Sequence, residues 1–227
     1  MMTAITVVTL YDTLGKEANE YVLNQTHIKT VVCSADKIKN IVELKTEGKI
    51  DKLTHIIHFD KATREEIESA QSSGITLIPY EEAVSEGMGY EVTYNEITPD
   101  TVYTLCYTSG TTGMPKGAML THKNFIANIE NFTNFDGVLS FREDDVYISY
   151  LPLAHVFERL FMNICMAHQI QYGFYQGDVA KISSDLLELK PTFMISVPRL
   201  LTRFYDLMHA RINAMTGFQR RLCDWGV

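Results

Sequence analysis

Short apolar runs alternate with amphipathic stretches along this chain, and the alternation predicts its elements. Residues 6–10, 30–33, 54–59 and 75–78 are β-branched or apolar over four to six positions and read as buried strands. Between them lie helical patterns. One places Ala18, Tyr21, Val22 and Gln25 on one face after a turn at 12–15; the next, over 35–46, aligns Ile38, Ile41, Val42 and Lys45. A third, over 62–73, is a charged surface helix that ends at Gly74. Residues 80–100 are acidic and turn-rich and read as a connection. A strand over 102–106 follows, then a long polar loop, the apolar triplet 118–120, and a helix over 122–132 with Thr121 as N-cap and Phe125, Ile129 and Phe132 inward. The remainder predicts a strand over 146–150, a helix over 154–168, a strand over 170–175, a helix over 179–189 and a strand over 192–196. The last helix starts at Pro198, breaks near Gly217 and resumes to Trp225. Strands and helices in this order predict an α/β fold of mostly parallel sheets with helices on both faces.

The loop at 107–117, Tyr-Thr-Ser-Gly-Thr-Thr-Gly-Met-Pro-Lys-Gly, concentrates the chemistry. The glycines leave room for backbone N–H groups to close on an anion, the hydroxyls of Thr108, Ser109, Thr111 and Thr112 add donors, and Lys116 adds a mobile positive charge. The same residue types also make ordinary loops. Ten of them between two apolar segments exceed what a plain connection of about four to six residues needs. The spacing is not that of a Walker A loop, because Lys116 follows Pro115 and precedes Gly117.

Composition narrows the reading without redirecting it. The chain has 227 residues, 46% hydrophobic, and carries 20 basic against 28 acidic residues, a formal charge of −8. That balance argues against a nucleic-acid partner, since no basic block offsets it, while a single nucleotide remains compatible. Cys33, Cys106, Cys165 and Cys223 are widely spaced, which suggests neither a zinc site nor a disulfide framework and fits a reducing, cytoplasmic setting. No apolar run reaches the ~18 residues of a spanning helix. His55 and His58 invite a metal reading, but an i, i+3 pair on a strand points to opposite faces. There is no Gly-x-Ser-x-Gly elbow, Asp144 and Asp145 sit on a turn, and Arg199 and Arg203 read as a solvated helix face.

Taken together, the loop and three further segments resemble the adenylate-forming superfamily, and within it the eukaryotic-type long-chain fatty acyl-CoA synthetases. The segments are Thr-Leu-Tyr-Asp-Thr-Leu-Gly at 9–15, Leu-Pro-Leu-Ala-His-Val-Phe-Glu-Arg at 151–159 and Val-Pro-Arg-Leu-Leu-Thr-Arg-Phe-Tyr-Asp at 197–206. The resemblance implies a fatty carboxylate attacking the α-phosphate of ATP to give acyl-AMP and pyrophosphate, then displacement of AMP by the thiol of CoA, with Mg²⁺ accompanying ATP. It assigns Thr108, Ser109, Gly110, Thr111, Thr112, Gly113 and Lys116 to the β- and γ-phosphates, and His155 to the neighbourhood of the reacting carboxylate. From the residues alone, His155 is equally readable as a helix-start histidine bonded to Glu158, and Phe157, Leu160, Phe161 and Ile164 as core or as acyl-pocket wall.

The resemblance also implies what to look for beyond these residues: a Tyr-Gly-x-Thr-Glu segment whose glutamate binds Mg²⁺, a ribose-binding aspartate, a hinge, and a small C-terminal domain with a catalytic lysine. None of these patterns occurs in the 227 residues. The expectation is a partial N-terminal domain, 1–100 and 101–227 forming its two α/β portions, that gives no ATP–pyrophosphate exchange alone, binds ATP weakly and self-associates through exposed surfaces. In the complete enzyme the resemblance implies a cytoplasmic location, peripheral on intracellular membranes.

Overall fold

The computed structural model describes residues 4–11, 15–108, 114–134, 140–217, 220–221 and 225. It forms two compact units, one spanning Met1–Asn134 and Leu153–Val156, the other Phe135–Pro152 and Phe157–Val227.

In the first unit, β1 (Val7–Thr9), α1 (Lys16–Thr26), β2 (Thr30–Cys33), α2 (Ile38–Thr46), β3 (His55–His58), α3 (Arg64–Ser72) and β4 (Thr76–Pro79) alternate as the periodicity predicts. Strands β2, β3 and β4 pair in parallel, with Val31, Ile56 and Leu77 in register. Because side chains alternate across a strand, this row faces α1 to α3 and helps form a core with Leu23, Ile38, Val42 and Ile75. The same alternation leaves His55 exposed and buries His58, whose Nδ1 lies 2.6 Å from the Asp60 carbonyl oxygen. Thr63 caps α3 in a capping box with Glu66, and Gly74, at φ +78°, supplies the left-handed turn that follows the helix.

Two elements of this unit differ from expectation. Tyr80–Gly87 is a helix, α4, where the acidic pattern reads as a connection. Glu81 and Glu82 fall in its first turn, where carboxylates favour the positive end of the helix dipole, so their clustering marks a helix start. The apolar triplet after the loop belongs to a strand, β6 (Lys116–Thr121), which runs antiparallel to β5 (Val102–Thr108). The sheet therefore has the order β1-β5-β6, with β1 and β5 parallel. Helix α5 (His122–Thr133) begins at the expected cap, Thr121, whose Oγ1 accepts from the Asn124 backbone N–H. It packs back on β5 through Phe125, edge-on to Tyr103 at 4.8 Å.

In the second unit, β7 (Val146–Ser149) and β8 (Gln171–Phe174) pair in parallel, with α6 (Val156–His168) between them in sequence. Helices α7 (Ile182–Leu189) and α8 (Pro198–Ala214) follow, the second with proline at its first turn. The strand expected over 192–196 reduces to one parallel bridge, Tyr147 with Phe193. Pro191 and Pro198 bracket the segment, and the Thr192 hydroxyl takes the Val146 N–H that would continue a ladder. Residues 12–14 of the turn predicted at 12–15 and most of the helical continuation past Gly217 lie outside the described residues.

Candidate nucleotide-phosphate site

The site is a hairpin mouth. Strand β5 is held in mid-sheet, between parallel β1 and antiparallel β6. Its polar side chain at the fully buried position 104 is satisfied: Thr104 Oγ1 donates to the Val7 carbonyl at 2.8 Å. Cys106 and Tyr107 are buried on the way to the mouth, and Thr108 emerges exposed. Opposite it Lys116, also exposed, opens β6 as the register partner of Thr108. The two strands therefore bring one hydroxyl and one ammonium to the same end of the sheet, with residues 109–115 spanning the gap. Ser109, Gly110, Thr111, Thr112 and Gly113 lie outside the described residues. On the returning limb Met114 is exposed and Pro115 buried, so the proline anchors the limb just before the lysine.

Two side-chain contacts brace this mouth, and sequence reading missed both. The Tyr107 hydroxyl donates to Gln25 Oε1 of α1 at 2.6 Å. Its ring lies against Gly117, where a Cβ would come within 2.9 Å of the ring carbon Cζ. Gln25 stood out only as one position on an amphipathic face, and nothing local signals a partner 82 residues away.

His155 is half-buried in the bend before α6, within the segment Leu153–Val156 that belongs to the same unit as the hairpin. Thr108 and Lys116 are brought together as neighbours, and His155 belongs to the same unit.

Glu158 is fully buried in the second unit, its two carboxyl oxygens taken by the hydroxyls of Tyr147 at 2.8 Å and Tyr172 at 2.6 Å. The Tyr172 oxygen also lies 2.9 Å from Ser149 Oγ. A phenol has one proton, so with Tyr172 donating to Glu158 the serine donates to Tyr172. Burial, and then Glu158, pushes both tyrosines above the ordinary phenol range. Burial, and then Glu158, raises the Cys165 thiol to about 12. Phe161 and Ile164 are buried beside this network as core residues.

The hairpin is chemically suited to an anion, because the Thr108 hydroxyl and the Lys116 ammonium meet where negative oxygens would need neutralising. Among the described residues no group of three His, Cys, Asp or Glu is arranged to hold a metal ion, and no helix is long and apolar enough to cross a membrane.

The AMP-binding enzyme family matches residues 1–222. A peroxisomal long chain acyl-CoA synthetase 7 of Arabidopsis thaliana is 35% identical over 96% of this chain and 30% of its own length. The human long-chain-fatty-acid–CoA ligase 6 is 37% identical over 98% of this chain and 32% of its own length. Among solved structures, the adenylation domain of a Mycobacterium chelonae carboxylate reductase superposes with a TM-score of 0.73 at 18% identity, over 92% of this chain and 34% of that one, which is a likeness of fold. The chain thus spans about a third of the length of these curated relatives. With a mostly parallel α/β architecture and a hydroxyl- and lysine-bearing hairpin in common order with the motifs of the sequence, this chain belongs to the AMP-binding, adenylate-forming enzyme family.

Proposed function

We propose that the chain supplies the phosphate-gripping part of an ATP-dependent long-chain fatty acid:CoA ligase. The observation that carries this is the pairing of Thr108 with Lys116 across the hairpin mouth, which converges a hydroxyl and a cation on one point. In the proposed reaction a fatty carboxylate oxygen attacks the α-phosphorus of ATP, the bond to the bridging oxygen breaks, and pyrophosphate leaves. The CoA thiol then attacks the acyl carbonyl, and AMP leaves. Charge accumulates on the departing β- and γ-phosphate oxygens in the first step, so fixed donors there lower the barrier. Lys116 acts as an electrostatic clamp, Thr108 and residues 109–113 as donors, and His155 serves the carboxylate end. Mg²⁺ would arrive with ATP, and among the described residues no group of three His, Cys, Asp or Glu is arranged to hold it.

A second reading is a module that grips nucleotide phosphates without turnover, which the pairing of Thr108 with Lys116 would serve equally. One experiment separates the two. MgATP and inorganic pyrophosphate binding is measured by calorimetry beside fatty-acid-dependent ATP–pyrophosphate exchange, for the 227-residue chain and for Lys116→Ala. Exchange overturns the module reading, whereas binding without exchange matches the expectation for these residues alone and sustains the phosphate grip that both readings share. Removing a charge-assisted contact worth about 1.5–3 kcal/mol weakens binding roughly ten- to hundredfold. Equal affinity of Lys116→Ala and the parent would sink both readings.

A further inference from the structure

Helix α1 does more than cover a sheet. Its face carries Tyr21 and Gln25 one turn apart, and Gln25 Nε2 donates to the Tyr21 hydroxyl at 3.0 Å, which fixes the amide so that its oxygen points to Tyr107. Tyr107 is 3% exposed, one position before the exposed Thr108, and it is the register partner of Gly117, one position after Lys116. Its ring rests on Gly117 at a distance that no Cβ would permit. One side chain therefore touches the descending strand of the hairpin, its returning strand and α1. Beside this contact an open groove of about 770 Å³ runs between α1 and Met114 of the returning limb.

We propose that Tyr107, latched through its hydroxyl to Gln25 and seated on Gly117, is a positioning residue that sets the separation of Thr108 and Lys116. The inference rests on the phosphate-binding reading of the hairpin and deepens it. Strand β1 pairs with β5 only as far as Thr9 with Cys106, so at Tyr107 and Thr108 the sheet is down to two strands and its mouth depends on packing from elsewhere. Here the brace is a buried phenol with its one proton committed to Gln25. Burial raises the Tyr107 phenol above its ordinary range, which keeps that proton in place near neutral pH. The latch makes no contact with phosphate itself; it keeps the donors at the spacing a bound diphosphate needs, so that less ordering is required on binding.

Tyr107→Phe removes the hydroxyl and leaves the ring on Gly117. The expected result is a three- to tenfold loss of affinity for inorganic pyrophosphate and MgATP, the scale of one hydrogen bond of about 0.5–1.5 kcal/mol. Gln25→Leu should do the same, and the double variant should be no weaker than either single one, because both remove the same bond. In the unliganded chain, hydrogen exchange at the amides of 105–108 and 116–119 should quicken in each variant. If Tyr107→Phe binds like the parent while Lys116→Ala weakens, the latch is wrong and the phosphate reading stands. Should the parent fail to bind, the phosphate reading falls, and the exchange rates alone decide whether the latch exists: unchanged rates overturn it. A purely structural tyrosine would lower the melting temperature while leaving the affinity of the folded variant unchanged, an outcome that also overturns the proposal.

Discussion

The two units solve the problem of a stable core with different chemistry. The first packs aliphatic side chains, among them Val31, Ile38, Val42, Leu44 and Ile56, between helices and a parallel sheet. The second builds around Tyr147, which lies 5.3 Å from Tyr172 and 5.3 Å from Phe193 between ring centroids, with the Glu158 carboxyl buried among the tyrosines. Aliphatic packing is non-directional and tolerates neighbours of similar volume. A buried carboxyl tolerates one arrangement, because every polar atom left unpaired costs about 1–3 kcal/mol. The difference teaches that the first unit is specified by pattern and the second by partners.

The comparison is sharpest when each core is broken at its centre. Glu158→Ala orphans the buried Tyr147 donor, leaves Tyr172 only Ser149 and opens a cavity, an expected loss of about 2–5 kcal/mol. Glu158→Gln retains one acceptor and should lose less. Ile56→Ala leaves a cavity at a comparable cost of about 2–5 kcal/mol, but Ile56→Val should fall to about 0.5–1.5 kcal/mol. Urea unfolding followed by tyrosine fluorescence and far-ultraviolet dichroism checks both. A Glu158→Ala chain as stable as the parent would remove the distinction.

Alkali provides a smaller test. Cys165 is raised to about 12, Tyr147 and Tyr172 lie above the ordinary phenol range, and in the first unit burial raises Cys33 to about 11. All four are acids whose folded pKa exceeds the unfolded one, so the folded state keeps protons that the unfolded chain releases. Their contribution is full below the unfolded thiol value near about 9 and is lost as pH rises through the folded values. Melting temperatures should decline from about pH 9 upward, and the second unit, holding three such groups against Cys33 and Tyr107 in the first, should lose structure first. A flat profile to about pH 10.5 would contradict the shifts. A small effect also belongs to the first unit's surface: Thr63→Ala removes the N-cap of α3 and should lower stability by about 0.5–2 kcal/mol in the same urea titration.

Much of the first unit was legible because its information is local. The strand at 30–33 and the Thr121 cap follow from β-branched runs and from a hydroxyl placed before a helix. Helix α4 was obscured because Glu81 and Glu82 suit a turn and a helix start equally well. Strand β6 was obscured because Pro115 and Gly117 frame it as loop. The family-like segment at 151–159 drew attention to His155, yet the buried network of the second unit belongs to Glu158, whose partners lie 11 and 14 residues away.

By itself, then, the sequence determined the alternating α/β plan and the family, and it concentrated glycines, hydroxyls and a lysine at 107–117, because periodicity, capping and loop composition act over a few residues. Only the tertiary structure decided that Lys116 faces Thr108 across an antiparallel pair, that Tyr107 is tied to Gln25, and that Glu158 is a core residue held by two tyrosines. Those facts depend on strand register and on contacts between residues distant in the chain, and a register is fixed by which faces are buried together.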